Sequence, residues 1–264
     1  MIIFIHIPRS AGTSLCYTIK EMPTPRSEFY RYKFKKAVHL LLRDEKKVKY
    51  SIPKVITGHM PYGYHKLFNA DVDYITFLRN PVDRWISACK LILSKNGRNY
   101  YTKLWKIYEG SVNESDFLLK CIDAQINSNI MCRQLSGIED FHNIVSYINN
   151  HHGKRFTGAI YTPFVIHKEK YSEKEFEKFY LAALEKISNF SFIGFQDSFK
   201  KDVLRMCSKF NWHINPEYGS FKRINSANNV KLKYEFKSVE SRELIEQLNS
   251  YDVKFYRDVR RNNK

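Results

Sequence analysis

The sequence predicts an α/β fold in which a central, mostly parallel sheet carries helices on both faces. Three observations predict it. Ile2 to Ile7 is apolar except for His6, and a loop containing Pro8 and Gly12 leads from it into a helical stretch, the first half of a strand–helix–strand unit. Val55-Ile56-Thr57 and Tyr74 to Leu78 are two further short apolar runs, ending at Gly58-His59 and at Arg79. A late run, Phe192-Ile193-Gly194-Phe195, again precedes a helical pattern. Short strands that alternate with helices bury a sheet between two helical layers.

The elements follow in order. Ile2 to Ile7 is rich in β-branched residues and reads as a buried strand. Thr13 to about Glu21 is helical, and Phe34 to Leu42 has apolar residues at helical spacing within a mixed, basic stretch over 22–50. Pro81 opens a helix where its missing N–H costs nothing, and Val82, Trp85, Ile86, Cys89 and Ile92 form the apolar stripe behind it. Residues 98–137 hold further helical segments. Phe199 to Phe210 and Lys231 to Leu248 are expected to be helical, with a last turn around Asp252 to Arg260 and a frayed, solvated tail over Arg260 to Lys264.

Composition narrows the function classes. The chain has 264 residues, long enough for one domain spanning 1–264 with a sizeable core. Hydrophobic residues make up 43% and aromatic residues 15%, which excludes a disordered chain. Lys and Arg number 44 against 27 Asp and Glu, a net charge of +17 that favours polyanionic ligands and equally fits a solvated basic surface. The five cysteines include no CxxC pair, so neither a zinc site nor a disulfide framework is indicated, and buried thiols are expected. No run is long enough to span a membrane, and the apolar start lacks the features of a signal peptide. A cytoplasmic protein with no membrane insertion is the expectation.

The first chemical feature is the loop Pro8-Arg9-Ser10-Ala11-Gly12-Thr13-Ser14. A loop between a strand and a helix presents backbone N–H groups and the positive end of the helix dipole to an anion. Gly12 permits close approach, Thr13 and Ser14 add hydroxyls, and Arg9 adds a fixed charge. The Walker A pattern fails here: Ile7 stands at its first glycine and Thr13 at its lysine. A phosphate loop that is not that of an ordinary kinase or NTPase is one reading; a plain capped helix start is the other.

The residues His6 to Leu15 resemble the 5′-phosphosulfate loop of carbohydrate-type sulfotransferases, closest to the heparan sulfate and uronyl 2-O-sulfotransferase group and its bacterial relatives. Thr76-Phe77-Leu78-Arg79-Asn80-Pro81-Val82-Asp83-Arg84-Trp85-Ile86-Ser87 resembles the family's 3′-phosphate motif. Gly58 to Gly63, Asn129 to Gly137 and Ile193 to Phe199 are similar to further family segments. The resemblance implies a P-loop-like three-layer fold and a sulfuryl donor, 3′-phosphoadenosine-5′-phosphosulfate (PAPS), released as PAP. It implies that Pro8, Arg9, Ser10, Ala11, Gly12, Thr13 and Ser14 bind the 5′ end, and Arg79 and Ser87 the 3′-phosphate. Arg9 departs from the family's usual lysine, keeping the charge but not the shape.

Arg79 ends a strand at the ligand crevice, and Ser87 lies about two helical turns beyond it, so both can reach one phosphate; an ion pair of Arg79 with Asp83 or Asp73 is the competing reading. Arg84 reads as a structural or surface residue of the same helix. In-line sulfuryl transfer needs a base for the acceptor hydroxyl. His59, beside Gly58 at a strand end and coincident with a family histidine, is the candidate base, with His65 as fallback and His6 as a packed neighbour. Arg133 is a candidate for acceptor or phosphosulfate binding, and Arg223 and Asn225 lie in a polar loop where the family closes a basic segment over the 3′-phosphate. His151-His152 has no Cys, Asp or Glu at ligand spacing, and sulfuryl transfer requires no metal in principle.

The expected activity is transfer of a sulfuryl group from PAPS to a hydroxyl of a saccharide or polysaccharide, assisted by a His base. A small hydroxylated metabolite is the alternative acceptor. A nucleotide kinase or NTPase is a rival, opposed by the missing Walker lysine. A nucleic-acid module is another, unsupported by any helix-turn-helix, zinc or RNP-like motif.

Overall fold

The computed structural model describes residues 1–20, 32–33, 55–67, 71–93, 102–137, 170–212 and 231–263. Five strands, β1 (Ile2–Ile5), β2 (Tyr32–Lys33), β3 (Val55–Gly58), β4 (Asp73–Leu78) and β5 (Phe192–Phe195), form one sheet in the order β2-β3-β1-β4-β5. Every pairing is parallel. The chain leaves β1 for β3 on one side and β4 on the other, so the sheet's switch point lies at the carboxyl end of β1, where open α/β sheets collect ligands. Ile5 is level with both Gly58 and Thr76. That register brings the loop after β1, His59 after β3 and Arg79 after β4 to one edge.

The pleat sends alternate residues to opposite faces. Ile3, Ile5, Ile56, Tyr74, Leu78, Ile193 and Phe195 pack with α5 (Ile130–Ser136), α6 (Glu173–Ile187) and α9 (Ser250–Asn262). Phe4, Ile75, Phe77 and Phe192 pack on the other side with α1 (Gly12–Lys20) and α7 (Phe199–Lys209). The fold is therefore three-layered. A separate apolar cluster joins α2 (Pro81–Ile92), α3 (Thr102–Glu109), α4 (Glu114–Asp123) and α8 (Val239–Leu248) around the fully buried Trp85. All five cysteines are buried and free.

Asn80 starts α2 by accepting hydrogen bonds from the Val82 and Asp83 N–H groups at 3.0 and 3.3 Å, with Pro81 in the first turn. Arg84, on that helix, is structural. Its guanidinium is fully buried and donates to Asn127 Oδ1 and O and to Asn249 Oδ1 at 3.0–3.3 Å. Burial pushes the nearby Asp252 carboxyl up from its ordinary range, and the Arg84 charge is the largest influence pulling it back. Arg84→Ala is expected to cost roughly 3–5 kcal/mol in chemical denaturation, because it strands buried polar partners.

Several elements differ from expectation. Residues 231–238 are not helical, and α8 begins only at Val239, capped by Ser238. The preceding residues are drawn into other contacts: Glu114 accepts from the Glu235 and Phe236 N–H groups, Tyr234 donates to the Ser111 carbonyl, and Phe236 packs edge-on to Trp85. The end of the chain is no frayed tail. Helix α9 runs to Asn262, and Arg260 is tied to Asp197 and Tyr256 with its guanidinium over Phe195. Strand β2 and the 15-residue α6, which opens with a Ser172–Glu175 capping box, were not expected. The helix expected over Phe34 to Leu42 lies outside the described residues.

Candidate functional site

The loop after β1 is bent by side-chain-bearing residues in left-handed conformations: Arg9 has φ 69° and Ala11 φ 64°. Each costs of order 1–3 kcal/mol, a strain that is kept where function uses the geometry. The Ser10 N–H closes the turn by donating to the Ile7 carbonyl at 3.2 Å, and left-handed residues within such a loop are a feature of anion-binding nests. Pro8 is buried, and Ser10 is fully buried with an Oγ that has no hydrogen-bond partner among the described residues. Gly12 opens α1, followed by half-buried Thr13 and buried Ser14.

Gly12 is required by a packing contact as well as by any ligand. A Cβ there would overlap Cδ2 and Nε2 of the His6 ring. That ring is stacked on Phe4, with centroids 5.7 Å apart, and its centroid lies 4.2 Å from that of the His59 ring. His6 is thus a packed neighbour, and it fixes the spacing between the loop and His59.

The two sequence motifs meet at Arg9. Its Nε donates to Ser87 Oγ at 3.0 Å, and Arg79 Nη1 donates to the Arg9 carbonyl at 3.1 Å. Burial, and then the Arg79 charge, lower the Arg9 pKa from its ordinary value, so two guanidinium groups face one small region. The aspartates that competed for Arg79 are engaged elsewhere: Asp83 pairs with Arg242 at 3.4 Å, and Asp73 accepts from Ser191. Two cations and a hydroxyl converging at a strained amide loop make a cradle for a ligand with more than one negative charge.

His59 follows β3 directly, and its Nδ1 lies 2.7 Å from the His6 carbonyl. A carbonyl only accepts, so Nδ1 carries the hydrogen, and neutral His59 keeps its lone pair on Nε2. Burial lowers the His59 pKa, and the His6 carbonyl opposes that shift. A neutral imidazole of fixed tautomer can accept a proton at Nε2.

The other expected residues separate. His65 is bonded to the Tyr74 hydroxyl through both its N–H and Nδ1, at the start of β4, whereas Arg79 follows the end of that strand. Arg133 is buried on α5, with its guanidinium 4.8 Å from the Tyr171 ring centre and Nη2 3.4 Å from its hydroxyl. Arg223 and Asn225 lie outside the described residues, as do His151 and His152. Sequence reasoning missed Gln134, whose carboxamide reaches the His6 carbonyl, and Asp252, whose carboxylate accepts from the Met131 and Cys132 N–H groups. Nothing in their spacing distinguishes them from neighbouring polar residues.

Among the described residues no group of three or more His, Cys, Asp or Glu could hold a metal ion, and no helix is long and apolar enough to cross a membrane. The family model described as Sulfotransferase family matches residues 1–257. No curated protein matches the chain.

Proposed function

The chain belongs to the sulfotransferase family, and from that premise we propose that it moves the sulfuryl group of PAPS to a hydroxyl of a saccharide or polysaccharide, with His59 as the base. The observation that carries this reading is the Arg9–Ser87 hydrogen bond, which joins the loop after β1 to the helix after β4. The reading takes residues 1–264 as one catalytic domain.

The residues fit a nucleotide phosphorylated at both ends. The buried, unmatched Ser10 Oγ, the N–H groups of the strained loop and the Arg9 charge suit the 5′ end, with Ala11, Gly12, Thr13 and Ser14 completing the cradle. Arg79 and Ser87 suit the 3′-phosphate. A serine hydroxyl that accepts a bond from Arg9 still has its own O–H to donate, so Ser87 can serve both partners. Arg223 and Asn225 are proposed to add contacts to the 3′ end, and Arg133 to the acceptor. PAPS, when bound, supplies a sulfuryl group whose leaving oxygen belongs to the 5′-phosphate.

The chain's own residues then divide the work. His59 Nε2 takes the proton of the acceptor hydroxyl as its oxygen bonds to sulfur. Arg9 and the loop N–H groups hold the charge that builds on the departing phosphate oxygen as the sulfur–oxygen bond breaks. Arg9 does this with a planar fork in place of the family's usual lysine, and its Nε contact with Ser87 sets the plane of that fork.

Thermal shift with PAP, PAPS, ATP and ADP, without added metal, tests the reading. PAP at a hundredfold excess over its Kd is expected to raise Tm by roughly 5–10 °C. No response to PAP, together with stabilisation by magnesium–ATP, would sink it.

A further inference from the structure

Besides its packing against the His6 ring, the His59 ring makes one hydrogen bond among the described residues, to the His6 carbonyl in a neighbouring loop. That carbonyl must itself be held if Nδ1 is to remain the protonated nitrogen. Gln134 does the holding. Its buried Nε2 donates to the His6 carbonyl at 3.3 Å and to the Met60 carbonyl at 3.0 Å. The two carboxamide N–H groups are thus divided between the carbonyl that accepts the hydrogen bond from His59 Nδ1–H and the carbonyl of the residue following His59. The Gln134 main-chain carbonyl also accepts from the Tyr62 N–H at 2.9 Å. One residue therefore grips the His59 segment and the loop after β1 at three points.

Two further observations separate this from an ordinary packing contact. The Gln134 Oε1 is buried with no hydrogen-bond partner among the described residues, so the amide is arranged for its donors at the expense of its acceptor. Turning it over would set Oε1 against two carbonyl oxygens. The helix that carries it is also anchored. Both carboxylate oxygens of the fully buried Asp252 accept from the first turn of α5, at Met131 N (3.0 Å) and Cys132 N (2.8 Å). At the other end of α5, Gly137 has φ 66° and packs against the Tyr62 backbone so closely that a Cβ would lie 2.9 Å from its carbonyl.

We infer that Gln134 is a positioning residue that fixes the His59 ring and its tautomer by holding the His6 and Met60 carbonyls. The inference rests on the reading of His59 as the base. Nitrogen-15 NMR of the histidines tests it without turnover. Wild-type His59 is expected to show a protonated Nδ1 and a bare Nε2. In Gln134→Met, which keeps the bulk and removes both donors, the Nε2–H tautomer is expected to become populated. Turnover is expected to fall about 10- to 100-fold, with PAP affinity changed less than about twofold. A His59 tautomer unchanged in Gln134→Met overturns the inference, whatever turnover does. Should that variant not fold, the wild-type carboxamide decides: its protons are expected to be protected from solvent exchange, and exchange at the free rate overturns the inference. Turnover surviving in His59→Ala would instead remove the base reading and leave the tautomer result standing.

Discussion

His59→Ala is expected to lower turnover by about 100- to 10,000-fold, the usual contribution of a positioned general base. PAP affinity should hardly change, because the ring's contacts are the His6 carbonyl and the His6 ring, and the charged groups at Arg9 and Arg79 stay in place. The loss should therefore appear in kcat. The pH profile carries the second half of the test. A base works in its neutral form, so the rate falls as pH drops through the His59 pKa. Burial disfavours the imidazolium and sets that pKa below the ordinary 6.5, so the acid limb of kcat/KM is expected below that value. A limb well above 7, or turnover retained without the imidazole, contradicts the assignment.

Gly12→Ala is expected to be nearly as damaging, for a different reason. The new methyl group overlaps the His6 ring, which is stacked on Phe4 and lies 4.2 Å from the His59 ring, so its displacement would disturb the core or the proposed base. Overpacking of this kind costs about 1–3 kcal/mol, seen as a lower Tm. Displacement of reacting groups by about 1 Å costs on the order of 100-fold in rate. A double variant discriminates steric conflict from a lost phosphate contact. Adding His6→Ala should restore much of the stability lost in Gly12→Ala, since it removes the ring that the methyl group strikes, and the two effects should be strongly non-additive. Additive losses would mean that Gly12 acts only through the ligand.

Four of the five strands were legible because they are short apolar runs that stop at polar turns, whereas the two-residue β2, Tyr32–Lys33, carries no such run. Ile2 to Ile7, Val55 to Thr57, Tyr74 to Leu78 and Phe192 to Phe195 needed no tertiary information to be read. Residues 231–238 were read as the start of the following helix although Leu232, Tyr234 and Phe236 alternate at a spacing that suits no helix face; the Glu114 carboxylate and the Trp85 ring, far away in sequence, hold them out of a helix, with Phe236 at φ 55°. The end of the chain misled because its charge pattern hides partners for Arg260 that α9, β5 and Asp197 in the turn after β5 provide together. At the site, Arg9, Arg79 and Ser87 were legible as candidates because their motifs place them after β1, after β4 and about two turns into α2. The tautomer of His59 was not, since it depends on a main-chain carbonyl, and neither was Gln134, whose partners are backbone atoms that carry no residue signature.

Calorimetric titration of the metal-free protein with PAP and with 5′-AMP addresses the joined loop and helix most directly, since the two nucleotides differ only by the 3′-phosphate. Two charge-assisted hydrogen bonds at about 1.5–3 kcal/mol each predict that PAP binds at least about 100-fold tighter. Ser87→Ala should narrow that ratio by about tenfold. Equal affinities for PAP and 5′-AMP would contradict a clamp built from Arg79 and Ser87.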